Sequence, residues 1–182
     1  MLMLEQRIQQ QFFESADLLS QTAEALAKPI ADAAQTLLGC ITAGGKVMLY
    51  GSGPTAVLAQ HGAALMVGRF ERDRPGLAAL AVAGEAETQA LGAPGDVLLV
   101  FSAGGAAPGL SATVQAAQAK DMTVVALTGR DAGDLLPQLG ETDVHIAVPH
   151  DRAARIYEVH ALVLHCLCDA LDFQLLGEQD PT

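Results

Sequence analysis

The chain has 182 residues, 51% apolar and only 17% charged, which suits one folded domain with a sizeable core and excludes a disordered chain. Ten basic residues against 21 acidic ones leave a net charge of −11, and aromatics make up 4% with no Trp. That balance argues against direct contact with phosphate backbones or anionic lipid, and against base-stacking platforms.

Residues 1–44 read as a pair of leading helices. In the first, Leu4, Ile8, Phe12 and Leu19 recur at helical spacing, with Ala23 and Leu26 behind them. Pro29 suits the first turn of a second helix, Ile30 to Ala43, closed by Gly44 and Gly45. Residues 45–150 then change to short apolar runs that end in Gly, Ser or Thr: Lys46–Tyr50, Leu77–Val82, Asp96–Phe101, Thr123–Leu127 and Val144–Val148. Continuous runs without alternation mark strands covered on both faces. Helix-compatible stretches near 55–68, 108–120 and 133–139 separate them, so the fold class is α/β, with about five parallel strands and helices on both faces. Residues 151–182 supply a final helix, Arg152 to about Leu176, and a tail. No linker or repeat interrupts the chain, and a single domain over 1–182 is expected.

No signal-peptide core or apolar run of membrane length is read, so a soluble, cytoplasmic protein is expected. Cys40, Cys166 and Cys168 lie in apolar surroundings and read as core packing in a reducing compartment. A Cys-x-Cys metal pair is the sharper alternative, but zinc sites prefer wider spacing and a second ligand pair.

In an open parallel sheet, ligands sit beyond the carboxyl ends of the strands. There the chain places Gly51-Ser52-Gly53-Pro54-Thr55, Ser102-Ala103-Gly104-Gly105 and Thr128-Gly129. Each loop serves either as a tight strand-to-helix turn or as an anion cradle of backbone N–H groups. Neither a G-x-G-x-x-G nor a Walker pattern occurs. Five histidines remain, His61, His145, His150, His160 and His165. His160 and His165 are about 140° apart on one helix and cannot face one point, whereas Glu158 and His165 share a face.

Gly51-Ser-Gly-Pro-Thr55, Ala59-Gln-His61, Gly68-Arg-Phe-Glu71, Arg74-Pro-Gly76, Met122–Gly129 and Arg155-Ile-x-Glu158-x-His160 follow the order of a sugar isomerase (SIS) domain. The chain resembles the phosphoheptose isomerase family and its non-catalytic relatives, the DnaA initiator-associating (DiaA) proteins. Its two ends and Ala59-Gln-His61 are more similar to the DiaA branch. The resemblance implies a flavodoxin-like fold, a homotetramer and sugar-phosphate binding by Gly51, Ser52, Gly53, Thr55, Ser102, Gly104 and Thr128. It also implies an acid–base pair for aldose–ketose isomerisation, a glutamate and a histidine. His61 and His165 keep family positions, but the glutamate position is Leu65 and the glutamine of the family's metal site is Tyr157. No zinc or other cofactor is expected with those two replacements. The family's Ser-Thr-Ser-Gly-Asn-Ser loop is here Ser102-Ala-Gly-Gly-Ala-Ala107, and each lost bond to a charged oxygen costs about 1.5–3 kcal/mol. Only Ala83 to Gly95 separates the second and third strands, where the family carries a longer helical excursion.

The combined expectation is a non-catalytic, DiaA-type homotetramer that gathers the replication initiator DnaA by avidity and contacts no nucleic acid or membrane itself. Its partner surface would include Leu175 and Leu176, with Phe173 beside them. The alternative is a phosphoheptose isomerase, or a divergent sugar-phosphate isomerase, with Glu85, Glu87 or Glu158 as replacement base. A sugar-phosphate sensor using Gly51–Thr55 and Ser102 is the third reading.

Overall fold

The computed structural model describes residues 2–104 and 107–178, so Gly105 and Ala106 of the expected phosphate loop lie outside the described residues, as do residues 179–182 of the tail. Five strands, β1 (Val47–Gly51), β2 (Ala79–Ala81), β3 (Val97–Phe101), β4 (Thr123–Thr128) and β5 (Val144–Ala147), form one sheet in the order β2-β1-β3-β4-β5. Every neighbouring pair is parallel. β1, β3 and nearly all of β4 are buried along their length, as their unbroken apolar runs require, while the edge strands β2 and β5 are partly exposed.

Successive strand residues point to opposite faces. Leu49, Leu99, Phe101 and Leu127 therefore meet α1 (Leu2–Thr42), α2 (Ala56–Val67) and α5 (Ala153–Leu176). Met48, Leu98, Val100 and Val124 meet Leu110, Val114 and Ala117 of α4 (Pro108–Gln118). A seven-residue helix, α3 (Glu85–Leu91), fills the short connection between β2 and β3. It is too brief to leave an apolar period in the sequence. The stretch near 133–139 forms a 3₁₀ segment, Gly133–Gln138, that contains Pro137.

The expected pair of leading helices is a single helix. α1 runs through Pro29 without a break. A proline inside a helix costs about 3 kcal/mol, chiefly through one missing N–H bond and a steric clash. Leu18, Thr22 and Leu26 before it and Ala33, Ala34 and Leu37 after it are all buried, so one straight packing stripe offsets that cost. The first half of α1 is also tied to α5. Arg155 donates to the Gln11 carbonyl and to Ser15, Ser15 donates to Glu158 at 2.7 Å, and Arg152 pairs with Glu14.

α5 is the one described helix long and apolar enough to cross a membrane, a feature the sequence reading did not register. Ile156, Val159, Val163, Leu164, Leu167 and Leu171 are buried among α1, α2 and the sheet, so it is a core helix.

Buried beside that layer, His160 is fully enclosed, its Nε2 3.1 Å from the Thr128 carbonyl and its Nδ1 without a partner among the described residues. Burial pushes this imidazole down to about 4. The unfolded chain takes up the proton near pH 6.5, the folded one only near 4, so stability is full above the first value and is lost as pH falls towards the second. That displacement is worth on the order of 3 kcal/mol. Urea unfolding at pH 7 and pH 4.5 is expected to show the loss in the parent, with a smaller loss in His160→Phe. An equal pH dependence in both would remove His160 as its source.

Candidate active site

In the strand order β2-β1-β3-β4-β5, the chain turns to opposite sides after β1 and β3, and the crevice at their carboxyl ends is the natural place for a ligand. β1 and β3 pair in register up to Gly51 opposite Phe101, which sets their following loops side by side. The two loops enclose a cavity of about 360 Å³ lined by Ser52, Gly53, Thr55, Ser102, Gly104 and Tyr157, among others. Gly51 is required where the first loop leaves the strand, because a Cβ there would collide with the Thr55 carbonyl. Gly53 follows with φ +57°, a left-handed conformation that glycine adopts freely.

The sequence-predicted binding residues divide in this setting. Ser52, Gly53, Ser102 and Gly104 line the cavity, and the Gly104 N–H points to the Ser102 hydroxyl at 3.4 Å. Thr55 also lines it, but its hydroxyl donates to the carbonyls of Ser52 and Phe101, both at 2.9 Å, and so braces the loop rather than a ligand. Gly51 borders a neighbouring cavity of about 400 Å³ together with Gln60, Ala83 and Glu87. Thr128 is absent from the lining. It is fully buried, donates to the Gly129 carbonyl and meets His145 at 2.8 Å. Its side chain is spent on the β4 exit, a commitment no local pattern reveals.

From this cavity α2 and α5 run together towards a second feature. His61 of α2 and His165 of α5 meet with their Nε2 atoms 3.3 Å apart, so one ring carries its proton there and the other accepts it. The rings are edge-on at 73°, and Phe70 packs on His165 with centroids 5.4 Å apart. Gly62 makes the approach of the helices close, since a Cβ would lie 2.6 Å from Leu49 and 3.0 Å from Leu164. Tyr157, Ala161 and His165 form one half-buried line along α5. Eight residues at 1.5 Å each put the histidine pair about 12 Å from Tyr157 along the helix. In the sequence Tyr157 stands out only as the replacement of a family metal ligand. Its spacing from His165 was the available sign of a second role.

Glu158 does not join His165; it accepts from Ser15 and pairs with Arg155 at 2.9 Å. Glu85 accepts from Gln89, and Glu87 accepts the Ala83 N–H at 2.8 Å on the rim of the neighbouring cavity. Leu65, one turn beyond His61, packs partly buried against the core. The donors present do not fit a zinc ion. Two imidazoles converge, but zinc sites take three or four ligands, and among the described residues no group of three or more His, Cys, Asp or Glu could hold a metal. Cys166 is exposed and Cys168 buried, and neither belongs to a group of three or more such donors among the described residues. Leu175 and Leu176 are exposed at the end of α5 beside Phe173.

A family model described as a SIS domain matches residues 11–92. A curated relative from Methylibium petroleiphilum, "Phosphoheptose isomerase", is 58% identical across 99% of this chain and 99% of its own length. Another of the same name from Aromatoleum aromaticum is 43% identical across 96% and 97%. Among solved structures, phosphoheptose isomerase GmhA from Neisseria gonorrhoeae superposes with a TM-score of 0.85 at 36% identity, over 93% of this chain and 98% of that one. The phosphoheptose isomerase from Francisella tularensis gives the same TM-score at 34% identity, over 92% and 97%. These full-length likenesses overturn the expectation of a non-catalytic, DnaA-binding protein of the DiaA type and favour its isomerase alternative. That expectation drew on the chain ends, on Ala59-Gln-His61 and on the replaced positions Leu65, Tyr157 and the Ser102–Ala107 loop, whereas the likeness extends over nearly the whole chain. By fold and by identity over nearly its full length, the chain belongs to the phosphoheptose isomerase family of SIS-domain proteins.

Proposed function

We propose that the protein is a sugar-phosphate aldose–ketose isomerase acting on a seven-carbon substrate of the sedoheptulose 7-phosphate type. The observation that carries this reading is the His61–His165 pair, 3.3 Å apart, with Tyr157 of the hydroxyl-lined cavity about 12 Å back along α5. That separation suits an extended heptose whose phosphate occupies the cavity while C1 and C2 reach the imidazoles. One neutral imidazole takes the C1 proton, giving an enediol, and returns it to C2. Its partner gives a proton to the C2 carbonyl oxygen and recovers one from the C1 hydroxyl, so both rings end as they began. Two imidazoles that share a proton can exchange these roles without the carboxylate that Leu65 removes.

The test is conversion of sedoheptulose 7-phosphate in D₂O, followed by NMR, with EDTA present because the donor set offers zinc no site. Aldose formation with deuterium at the reacting carbons is expected. No conversion and no exchange would end the reading.

The same reading includes a homotetramer in a reducing, cytoplasmic setting, in keeping with three free cysteines. An apolar groove of about 260 Å³ between α1 and α5, lined by Leu19, Leu26, Val159 and Leu162, and the exposed Phe12 and Phe13 of α1 support self-association. Light scattering is expected to give four times the chain mass, and less for Leu162→Asp. A monomeric parent would refute the assembly.

A further inference from the structure

We infer that Tyr157 is a substrate-binding residue whose phenol donates a hydrogen bond to the phosphate group, in place of hydroxyls that the β3 loop no longer carries. The inference rests on the sugar-phosphate reading above. Among the described residues, the cavity between the β1 and β3 loops has no lysine, arginine or histidine in its lining, so an anion there would meet neutral donors. Its side-chain donors are few. Ala103 and Ala107 present methyl groups, and the Thr55 hydroxyl is committed to two carbonyls. Among the described residues Ser52 and Ser102 remain, and Tyr157 of α5 lines the same cavity and adds a phenol to them.

A phenol is a donor as well as an acceptor, and its ring extends its hydroxyl further than a serine can reach. The ring also stands on a rigid element. Its neighbours Ile156 and Val159 are 0% and 2% exposed, which fixes the helix under it more firmly than a loop would. Tyr157 thus couples the two ends of the site, with its hydroxyl at the phosphate and the reacting pair two turns further along the same helix.

The experiment is titration calorimetry on the parent and on Tyr157→Phe, with sedoheptulose 7-phosphate, inorganic phosphate and unphosphorylated sedoheptulose as probes. Loss of one hydrogen bond to a charged oxygen weakens binding about tenfold to a hundredfold. Tyr157→Phe is expected to lose that much for both phosphates and none for sedoheptulose, with an unchanged melting temperature. Its KM should rise while kcat stays within a few-fold. A variant that binds both phosphates as tightly as the parent overturns the inference and leaves Tyr157 as an apolar wall. A parent that binds phosphates through Tyr157 yet converts no substrate would uphold the inference and end the isomerase reading. A parent that binds neither phosphate would end both.

Discussion

His165→Ala is expected to lower the turnover of sedoheptulose 7-phosphate by about 10²–10⁴-fold, the usual worth of a positioned proton-transfer group. His61→Ala should fall into the same range, because each imidazole is the hydrogen-bond partner of the other at 3.3 Å. Groups that act as a unit are not additive, so the double variant should be little worse than either single one. Neither change should unfold the protein, since His61 is exposed and His165 half-buried, and surface substitutions commonly stay within about 0.5 kcal/mol. Steady-state kinetics beside a denaturation curve provide the check. If His165→Ala keeps the parental kcat, the pair is a surface contact and the proton-transfer role is wrong. Introducing Leu65→Glu one turn beyond His61 would add the carboxylate that family resemblance implies, and a raised kcat would show that the missing base limits the rate.

Arg74→Met is expected to destabilise the fold by about 3–5 kcal/mol, the cost of leaving one member of a buried ion pair alone. Arg74 Nε lies 2.5 Å from Asp172 Oδ1, and both side chains are only 1% exposed. The same guanidinium donates to the carbonyls of Leu65, Met66 and Gly68, where α2 runs out of its own N–H partners. Arg72 does the corresponding work for α5, donating to the carbonyls of Asp172 and Gly177. Cations at helix carboxyl ends also oppose the helix dipole. Removing Arg74 therefore strands the Asp172 carboxylate, whose Oδ2 already lacks a partner among the described residues, and uncaps α2 at once. Arg74→Met with Asp172→Leu should recover part of the loss, because no buried charge is then left alone. Urea denaturation decides it. A single variant within 1 kcal/mol of the parent would mean that the pair is not what joins α2 to α5.

This clamp lies next to the proposed chemistry. Phe70, two residues before Arg72, packs on His165, and Leu65, whose carbonyl Arg74 holds, is the residue in the family's glutamate position. Stability and the proposed chemistry are thus linked through the segment that follows α2. Small losses of turnover in Arg74 variants would follow from movement of Phe70 and need no direct role in proton transfer.

Much of the architecture was legible from local pattern. Unbroken apolar runs that end in glycine and serine report strands buried on both faces, and their spacing leaves room only for helical crossovers, so the parallel sheet follows from residue order. His61 and His165 stood out in the sequence as well, through the motifs around them. Other features depend on groups far apart in sequence. Pro29 marks a helix start by local preference, but burial of both halves of α1 on one packing stripe outweighs one lost hydrogen bond. Thr55 and Thr128 look like free hydroxyls in their loops, and only the fold brings the Phe101 carbonyl to the first and the His145 ring to the second. The meeting of His61 with His165 spans 104 positions and two helices, and it depends on Gly62 letting α2 settle against Leu49 and Leu164. The sequence by itself determined the elements, their order and the chemistry available at the strand ends, because periodicity and turn composition are local properties of the chain. Tertiary structure alone decided which histidines form a pair, which hydroxyls stay free and that Tyr157 lines the cavity between the β1 and β3 loops, because each of these depends on how separate elements pack against one another.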